Sequence, residues 1–393
     1  MIKTVKLEEL ASVKGGKRLP KGVNLITTPN SHPYIRVRDL NNRHTLELNA
    51  DFEYVDEETQ KNIARYIVDR GDIVLSIVGT IGLVAIVGDS LHHANLTENC
   101  VKLTQLNGVN RDYLYYFLKS ELGQAEIAKG TVGAVQAKLP IKNIQAIEVV
   151  LPSLELQEKI ASILAAIDYK IEANEKINDN LQQQALAIFQ QEFLREGELP
   201  DGWTSGSLLD IANYLNGLAM QKFRPADGES GLPVLKIKEL RQGSCDASSE
   251  LCSPSIKPEY IVHDGDVIFS WSGSLLVDLW CGGTCGLNQH LFKVTSDKYP
   301  KWFYYAWTAH HLARFVAIAA DKATTMGHIK REELAKAEVV IPDAASMERI
   351  GGILQPMYDL IISNRIENRK LAALRDTILP QLMSGELDVS DLT

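Results

Sequence analysis

Apolar residues recur at alternating steps of four and three through two long stretches of the chain. In EVVLPSLELQEKIASILAAIDYKIEANEKINDNLQQQALAIFQQEF (148–193) the stripe is Ile160, Leu164, Ile167, Ile171, Asn174, Asn178, Leu181, Ala185 and Ile188. In EVVIPDAASMERIGGILQPMYDLIISNRIENRKLAALRDTILPQLM (338–383) it is Ile350, Leu354, Met357, Ile361, Asn364, Asn368, Leu371, Arg375 and Ile378. This period is helical, and each helix follows a short apolar strand that stops at Pro152 or Pro342. A heptad seam this narrow buries itself against another helix, and the other long seam is its own repeat. An intramolecular antiparallel coiled coil is therefore predicted. Asn174, Asn178, Asn364 and Asn368 interrupt both stripes at matching steps. A buried Asn weakens a seam but fixes its register, because a slipped pairing leaves the amide without a partner. Register then requires Asn174 and Asn178 to lie near Asn368 and Asn364; the alternative is frayed, solvated turns.

The repeat extends through nearly the whole sequence. KLEELASVKGGK (6–17) is answered by SLLDIANYLNGLA (207–219), and PYIRVRDL (33–40) by PVLKIKEL (233–240), each reading as a strand of alternating apolar and basic residues. IVDRGDIVLSIVGT (67–80) matches IVHDGDVIFSWSGS (261–274), a Gly-Asp turn feeding a buried strand and a small-residue loop. NCVKLT (99–104) matches HLFKVT (290–295). An aromatic helix follows in each copy, RDYLYYFLKS (111–120) and PKWFYYAWTA (300–309), then a polar loop, GTVGAVQAKLP (130–140) or DKATTMGHIK (321–330). The predicted fold is α+β: two mixed α/β domains in tandem repeat, at 1–152 and 198–342, with long helices at 153–197 and 343–393. Pro356 falls inside the second seam and predicts a kink or a restart there, and Arg375 replaces Ala185 at a seam position.

The totals narrow the class. A chain of 393 residues with 45% hydrophobic and 23% charged residues is an ordinary globular protein of two or three domains. No apolar run approaches the roughly 18 residues of a membrane span, and the N-terminus lacks a signal-peptide core, so a cytoplasmic location is expected. The net charge of −9 argues against charge-driven nonspecific binding to nucleic acid, although the acid is concentrated around the long helices. Five cysteines in such a chain do not read as a disulfide framework, and the gaps between Cys245, Cys252, Cys281 and Cys285 fit zinc spacing poorly. No metal is expected.

No nucleotide, metal or nucleophile signature is present: no Gly-x-x-x-x-Gly-Lys loop, His-Glu-x-x-His, Gly-x-Ser-x-Gly or kinase set, and no Asn- or Asp-Pro-Pro-aromatic tetrapeptide. The pairs His92–His93 and His310–His311 read as surface or structural residues, since neighbours on a helix or strand point apart. Asp72 and Asp266 sit at equivalent Gly-Asp turns, where capping accounts for them. No catalytic residue is assigned.

What remains is recognition by polar and basic loops. The first copy offers Lys17, Arg18, Lys21, Arg36, Arg38, Asn41 and Arg43, with Thr80, Thr131 and Gln136 in its loops. The second offers Lys222, Arg224, Lys236, Lys238, Arg241 and Gln242, with Ser272, Ser274, Lys322, Thr324, Thr325 and His328 in its loops. Arg, Asn and Gln carry the paired donors and acceptors that read base edges, whereas Lys mostly holds phosphates. Glycines in the loops at 76–82 and 270–274 let the backbone approach a groove closely.

Taken together, the duplication, the LPDGW sequence at 199–203, the two Pro-to-long-helix junctions and the ending ILPQLMSGEL (378–387) resemble the specificity (S) subunit of type I restriction-modification systems. The resemblance implies two target recognition domains that read a bipartite double-stranded DNA site, held apart by two helices. It implies a non-catalytic subunit without cofactors of its own. Its partners would be two modification subunits that methylate adenine with S-adenosylmethionine and two restriction subunits that use ATP and Mg. The sequence departs from the pattern at Pro356 and at SMERI (346–350), where the first copy has LQEKI (156–160). A stand-alone bipartite DNA-binding regulator or scaffold is the alternative, distinguished by the absence of a neighbouring methyltransferase gene.

Overall fold

In a computed structural model, residues 3–40, 43–133, 135–195, 197–321 and 329–390 are described. The chain divides into two compact units, Met1–Glu172 with Lys370–Thr393, and Ala173–Arg369. Each is a mixed α/β unit carrying part of both long helices, Leu154–Phe193 and Ala344–Ser384. The class is α+β, two such units in tandem with the long helices paired as an antiparallel coiled coil.

The first unit is built on a five-stranded sheet in the order Ser12–Gly15, Cys100–Thr104, Ile73–Ser76, Val84–Val87, Thr45–Leu46, antiparallel except for the last pair. Ile73–Ser76 is buried throughout, as an unbroken apolar run in a central strand must be. The aromatic helix Arg111–Lys119 covers one face and buries Tyr113, Tyr115, Tyr116 and Phe117. Asn110 caps it, accepting from the Tyr113 amide at 3.0 Å. Outside the sheet, Lys3–Lys6 pairs with Glu148–Leu151, the strand that leads into the central helix.

The second unit repeats this plan with a sheet ordered Asn213–Asn216, Leu291–Thr295, Val267–Ser270, Leu276–Leu279 and an aromatic helix Lys301–His310. A smaller sheet joins Leu251–Cys252, Leu232–Leu235, Cys285–Leu287 and Ile261–Val262. The Gly-Asp turns are capped identically: Asp72 accepts from the Asp69 amide at 2.9 Å, and Asp266 from the His263 amide at 2.8 Å. Lys102 and Lys293, equivalent residues of the neighbouring strands, lie 3.0 and 2.8 Å from those carboxylates.

Two expectations require correction. The alternating segments 33–40 and 233–240 are not single strands. Tyr34–Ile35 gives way to a 3-10 turn at Val37–Asp39, and Leu232–Leu235 to a helix at Ile237–Gln242. The acid three residues on decides both: Asp39 accepts from the Arg36 amide at 2.7 Å and Glu239 from the Lys236 amide at 3.2 Å, which caps a helical turn where alternation predicts extension. Nor does the second long helix restart at Pro356; it is continuous from Ala344 to Ser384. A proline ring meets the carbonyl four residues earlier, here that of Gly352. An added Cβ at Gly352 would find open space, so the backbone there has room to adjust.

Candidate nucleic-acid interface

Pairing of the long helices holds in each unit. In the second, Asn174 Nδ2 donates to Asn368 Oδ1 at 2.8 Å, Asn364 Nδ2 donates to Asn178 Oδ1 at 2.9 Å, and Arg349 reaches Glu192 at 2.9 Å. In the first, Arg375 meets Asp168 at 2.6 Å. Across each pair the residue numbers rise along one helix as they fall along the other, which is an antiparallel register. Asn174, Asn178 and Asn364 are buried, so their amides must find partners inside the seam.

In the first unit one end of the main sheet gathers most of the candidate contacts. There Ser12–Gly15 ends, Cys100–Thr104 begins and Ile73–Ser76 ends, with Ser76 facing Cys100. Buried Ser76 donates to the Thr80 carbonyl at 2.6 Å and accepts from the Leu83 amide at 2.8 Å, which closes the following loop and leaves Gly79 and Thr80 exposed. Gly79 and Gly82 hold φ of 81° and 91°, the left-handed region that glycine adopts at little cost. The loop before the long helix is pinned to this one: the Leu139 amide donates to the Ile77 carbonyl at 2.9 Å, and Lys138 bridges Val78. Thr131 is half-buried and bonds back to the Ile127 carbonyl at 2.8 Å, while Gln136 is exposed. Lys17 and Arg18 join the rim because the Lys17 amide donates to the Leu96 carbonyl at 2.8 Å.

The second unit repeats the arrangement. Buried Ser270 donates to the Ser274 carbonyl at 2.9 Å, and the Ile329 amide donates to the Trp271 carbonyl at 2.9 Å. Ser274 is exposed, but Ser272 is buried. Lys236 follows its strand as Arg36 follows its own, with Asn288 and Thr97 bonded to the preceding carbonyls at 3.2 and 3.0 Å.

Not every candidate belongs to these rims. Arg43 lies beside Thr45, whose amide donates to Glu172 of the central helix at 3.1 Å, at the edge strand farthest from Ser12–Gly15. Lys21 and Arg241 are exposed on flanking segments. Lys222 ends the 3-10 turn Met220–Lys222 and is exposed. Asn41, Lys322, Thr324, Thr325 and His328 lie outside the described residues. The sequence reading missed the segments Thr97–Asn99 and Asn288–His290, and Trp271, whose indole donates to Asn216 at 3.0 Å. The signal was present, since these residues immediately precede or open the matched strands and loops of the repeat.

Six of the basic candidates are paired with carboxylates. Arg18 meets Glu98 at 2.6 Å, Arg36 and Arg38 share Glu53, Arg224 and Lys236 share Glu250, and Lys238 meets Asp246 at 3.5 Å. The Lys236 hydrogen bond keeps the Glu250 carboxyl below the usual carboxylate range. Gln242 also donates to Asp246, at 3.1 Å. Apart from the largely buried Arg36–Glu53 pair, exposed pairs of this kind contribute about 0–1 kcal/mol each, so an incoming phosphate can displace the carboxylate at small cost while the pair preorients the cation.

Comparison with known proteins gives the family. A model described as the type I restriction modification DNA specificity domain matches twice, over residues 2–183 and 200–374. The type I restriction enzyme MjaIX specificity subunit of Methanocaldococcus jannaschii is 25% identical over 382 residues, covering 92% of this chain and 88% of that protein. The EcoBI specificity subunit of Escherichia coli is 25% identical over 199 residues, 49% of this chain and 40% of its own. The crystal structure of the S subunit of a type I restriction-modification system from M. genitalium shares the fold, with a TM-score of 0.60 at 15% identity and coverage of 97% of this chain and 96% of that one.

Proposed function

Because the chain belongs to the specificity subunits of type I restriction-modification systems, with two recognition domains in tandem, we propose that each domain reads one half of a bipartite double-stranded DNA target. In this reading the chain is the non-catalytic subunit that positions two adenine methyltransferase subunits, and two restriction subunits where these are present. S-adenosylmethionine, ATP and Mg then belong to those partners. One observation supports the reading above the rest. The serine-closed loop and the loop pinned beside it recur at the same end of the sheet in both units, but with different side chains, Thr80 in one and Trp271 and Ser274 in the other. A common frame with divergent loops is what two readers of unrelated sequences require.

The test replaces residues 201–340 with the corresponding domain of another specificity subunit and maps methylated adenine in the host genome by long-read sequencing. One half of the target should change and the other remain. A change in both halves sinks the idea of independent readers, and methylation that persists without the gene sinks the assignment to methylation altogether.

A further inference from the structure

Adjacent histidines on a helix or strand point apart, but His92 and His93 lie on neither. They follow the 3-10 turn Asp89–Leu91, and His93 adopts φ of 68°, a left-handed conformation uncommon for a residue with a Cβ. The two imidazoles therefore lie on one side, 3.8 Å between ring centroids and tilted by 33°. Asp69 stands beside both: its Oδ1 lies 3.6 Å from His92 Nδ1 and 3.5 Å from His93 Nε2. The backbone fixes this meeting, since the His93 amide donates to the Val68 carbonyl and the Val68 amide to the Ala94 carbonyl, each at 2.8 Å.

We propose that Asp69, His92 and His93 form a binding site for a borderline first-row divalent cation such as zinc(II), cobalt(II) or nickel(II). The separations are the argument. A carboxylate hydrogen-bonded to imidazole closes to about 2.8 Å, and neither contact does so. Donor atoms around a tetrahedral zinc, each about 2.0–2.1 Å from the ion, stand ~3.3–3.4 Å apart, close to the two distances seen here. All three donor groups lie within 4.8 Å of one another, and the side chains are about half exposed, so an ion can enter and water can complete its shell. Two nitrogens and one carboxylate suit this class and not magnesium or calcium, which take oxygen ligands. Two neighbours oppose the ion modestly. The Lys102 ammonium lies 3.7 Å from the other Asp69 oxygen but is also held at 3.0 Å by Asp72. The Arg70 backbone amide donates to His92 Nδ1 at 3.2 Å, a hydrogen bond that the ion must displace.

Among the described residues the second unit has no such site at the equivalent corner. There Ile261 bridges Gly286 as Ile67 bridges Asn95, which places His263, Gly283 and Thr284 where the first unit has Asp69, His92 and His93. Its corner is tied by the Asp264–Arg369 pair at 2.8 Å. An ion would supply the first unit with the staple that an ion pair supplies in the second.

The untagged full-length chain should be titrated with zinc(II) by calorimetry, with magnesium(II) in parallel and cobalt(II) absorption as a reporter of geometry. One equivalent of zinc should bind and raise the melting temperature, and cobalt(II) should bind with a tetrahedral absorption spectrum; magnesium should neither bind nor stabilise. Asp69→Asn and His93→Gly should each weaken zinc binding at least about tenfold. Glycine suits the left-handed backbone at 93, so metal-free melting of that variant should match or exceed wild type, which separates loss of a ligand from loss of fold. Absence of saturable zinc binding to the wild type, equal affinity in both variants, or equally tight magnesium binding each overturns the site.

Discussion

The two units solve the same packing problem with opposite chemistry. Where the aromatic helix meets the long helices in the first unit, Tyr116 donates to Asp168 at 2.7 Å and Asp168 is paired with Arg375 at 2.6 Å. The repeat places Tyr305, Tyr358 and Ala185 at these positions in the second unit, and there Tyr305 and Tyr358 meet edge to face at 5.3 Å above a fully buried Ala185. The first unit thus buries a charged pair that the second replaces with aromatic area. Burial works against the charge on Arg375, yet Asp168 raises its pKa above the ordinary guanidinium value, and burial beside Asp168 pushes the Tyr116 hydroxyl up. A buried pair adds little net stability over an apolar one, but it commits each partner to the other.

Breaking that commitment should have the largest effect. Asp168→Ala leaves Arg375 with only the exposed carboxylate of Asp376, 2.8 Å away, in place of its buried partner, and should cost up to about 3–5 kcal/mol in urea denaturation of the whole chain. The double substitution Asp168→Tyr with Arg375→Ala imports the second unit's solution and should recover most of that loss. Should the double variant be no more stable than Asp168→Ala, the two corners are not interchangeable and the comparison fails.

A second pair of substitutions asks where the units are alike. Gly16 and Gly217 immediately follow equivalent strands, and an added Cβ would overlap the Thr97 and Asn288 carbonyl oxygens respectively. Neither carbonyl can retreat without disturbing its segment. Gly16→Ala and Gly217→Ala should therefore each destabilise by about 1–3 kcal/mol and to a similar degree. An effect confined to one of them would show that the rims are not built alike.

The asparagine seam should respond less. Asn364→Ala leaves Asn178 Oδ1 without its 2.9 Å donor and should cost about 1–2 kcal/mol. Leu at both 178 and 364 should restore or raise stability while relaxing register, read as loss of a single set of cross-helix disulfides in a cysteine scan. A double variant with unchanged cross-linking would remove the register role.

Most of the frame was legible because helical period, strand-stopping prolines and duplication are properties of the chain itself. The Asn pairs follow from the heptad phase alone. Less legible was anything set by a residue three places away: the carboxylates of Asp39 and Glu239 turn alternating segments into helical caps, which periodicity does not weigh. The interface was half legible for a related reason. Sequence shows which side chains carry donors, but not that Glu53, Glu98 and Glu250 hold them, nor that the backbone at His93 turns two neighbouring rings to one side.

The smallest expected effect lies at the corner where the units differ most plainly. Hydrogen bonding from Arg369 holds the Asp264 carboxyl below the usual carboxylate range, while the repeat places Arg70 at this position in the first unit. A depressed folded pKa means that the unfolded chain takes up the proton first as pH falls. The stabilisation is therefore complete above about pH 5 and is lost as the pH drops through about 4 and below. Asp264→Asn should accordingly lower the urea midpoint at neutral pH, and the gap between variant and wild type should shrink as acid is added. A gap that stays constant from pH 7 to about pH 3 would mean that the charge on Asp264 contributes nothing and that its side chain acts only by shape. The first unit supplies the control: Arg70→Gln removes a cation paired with Asp89 at 2.7 Å on an exposed surface, and should leave the acid limb unchanged.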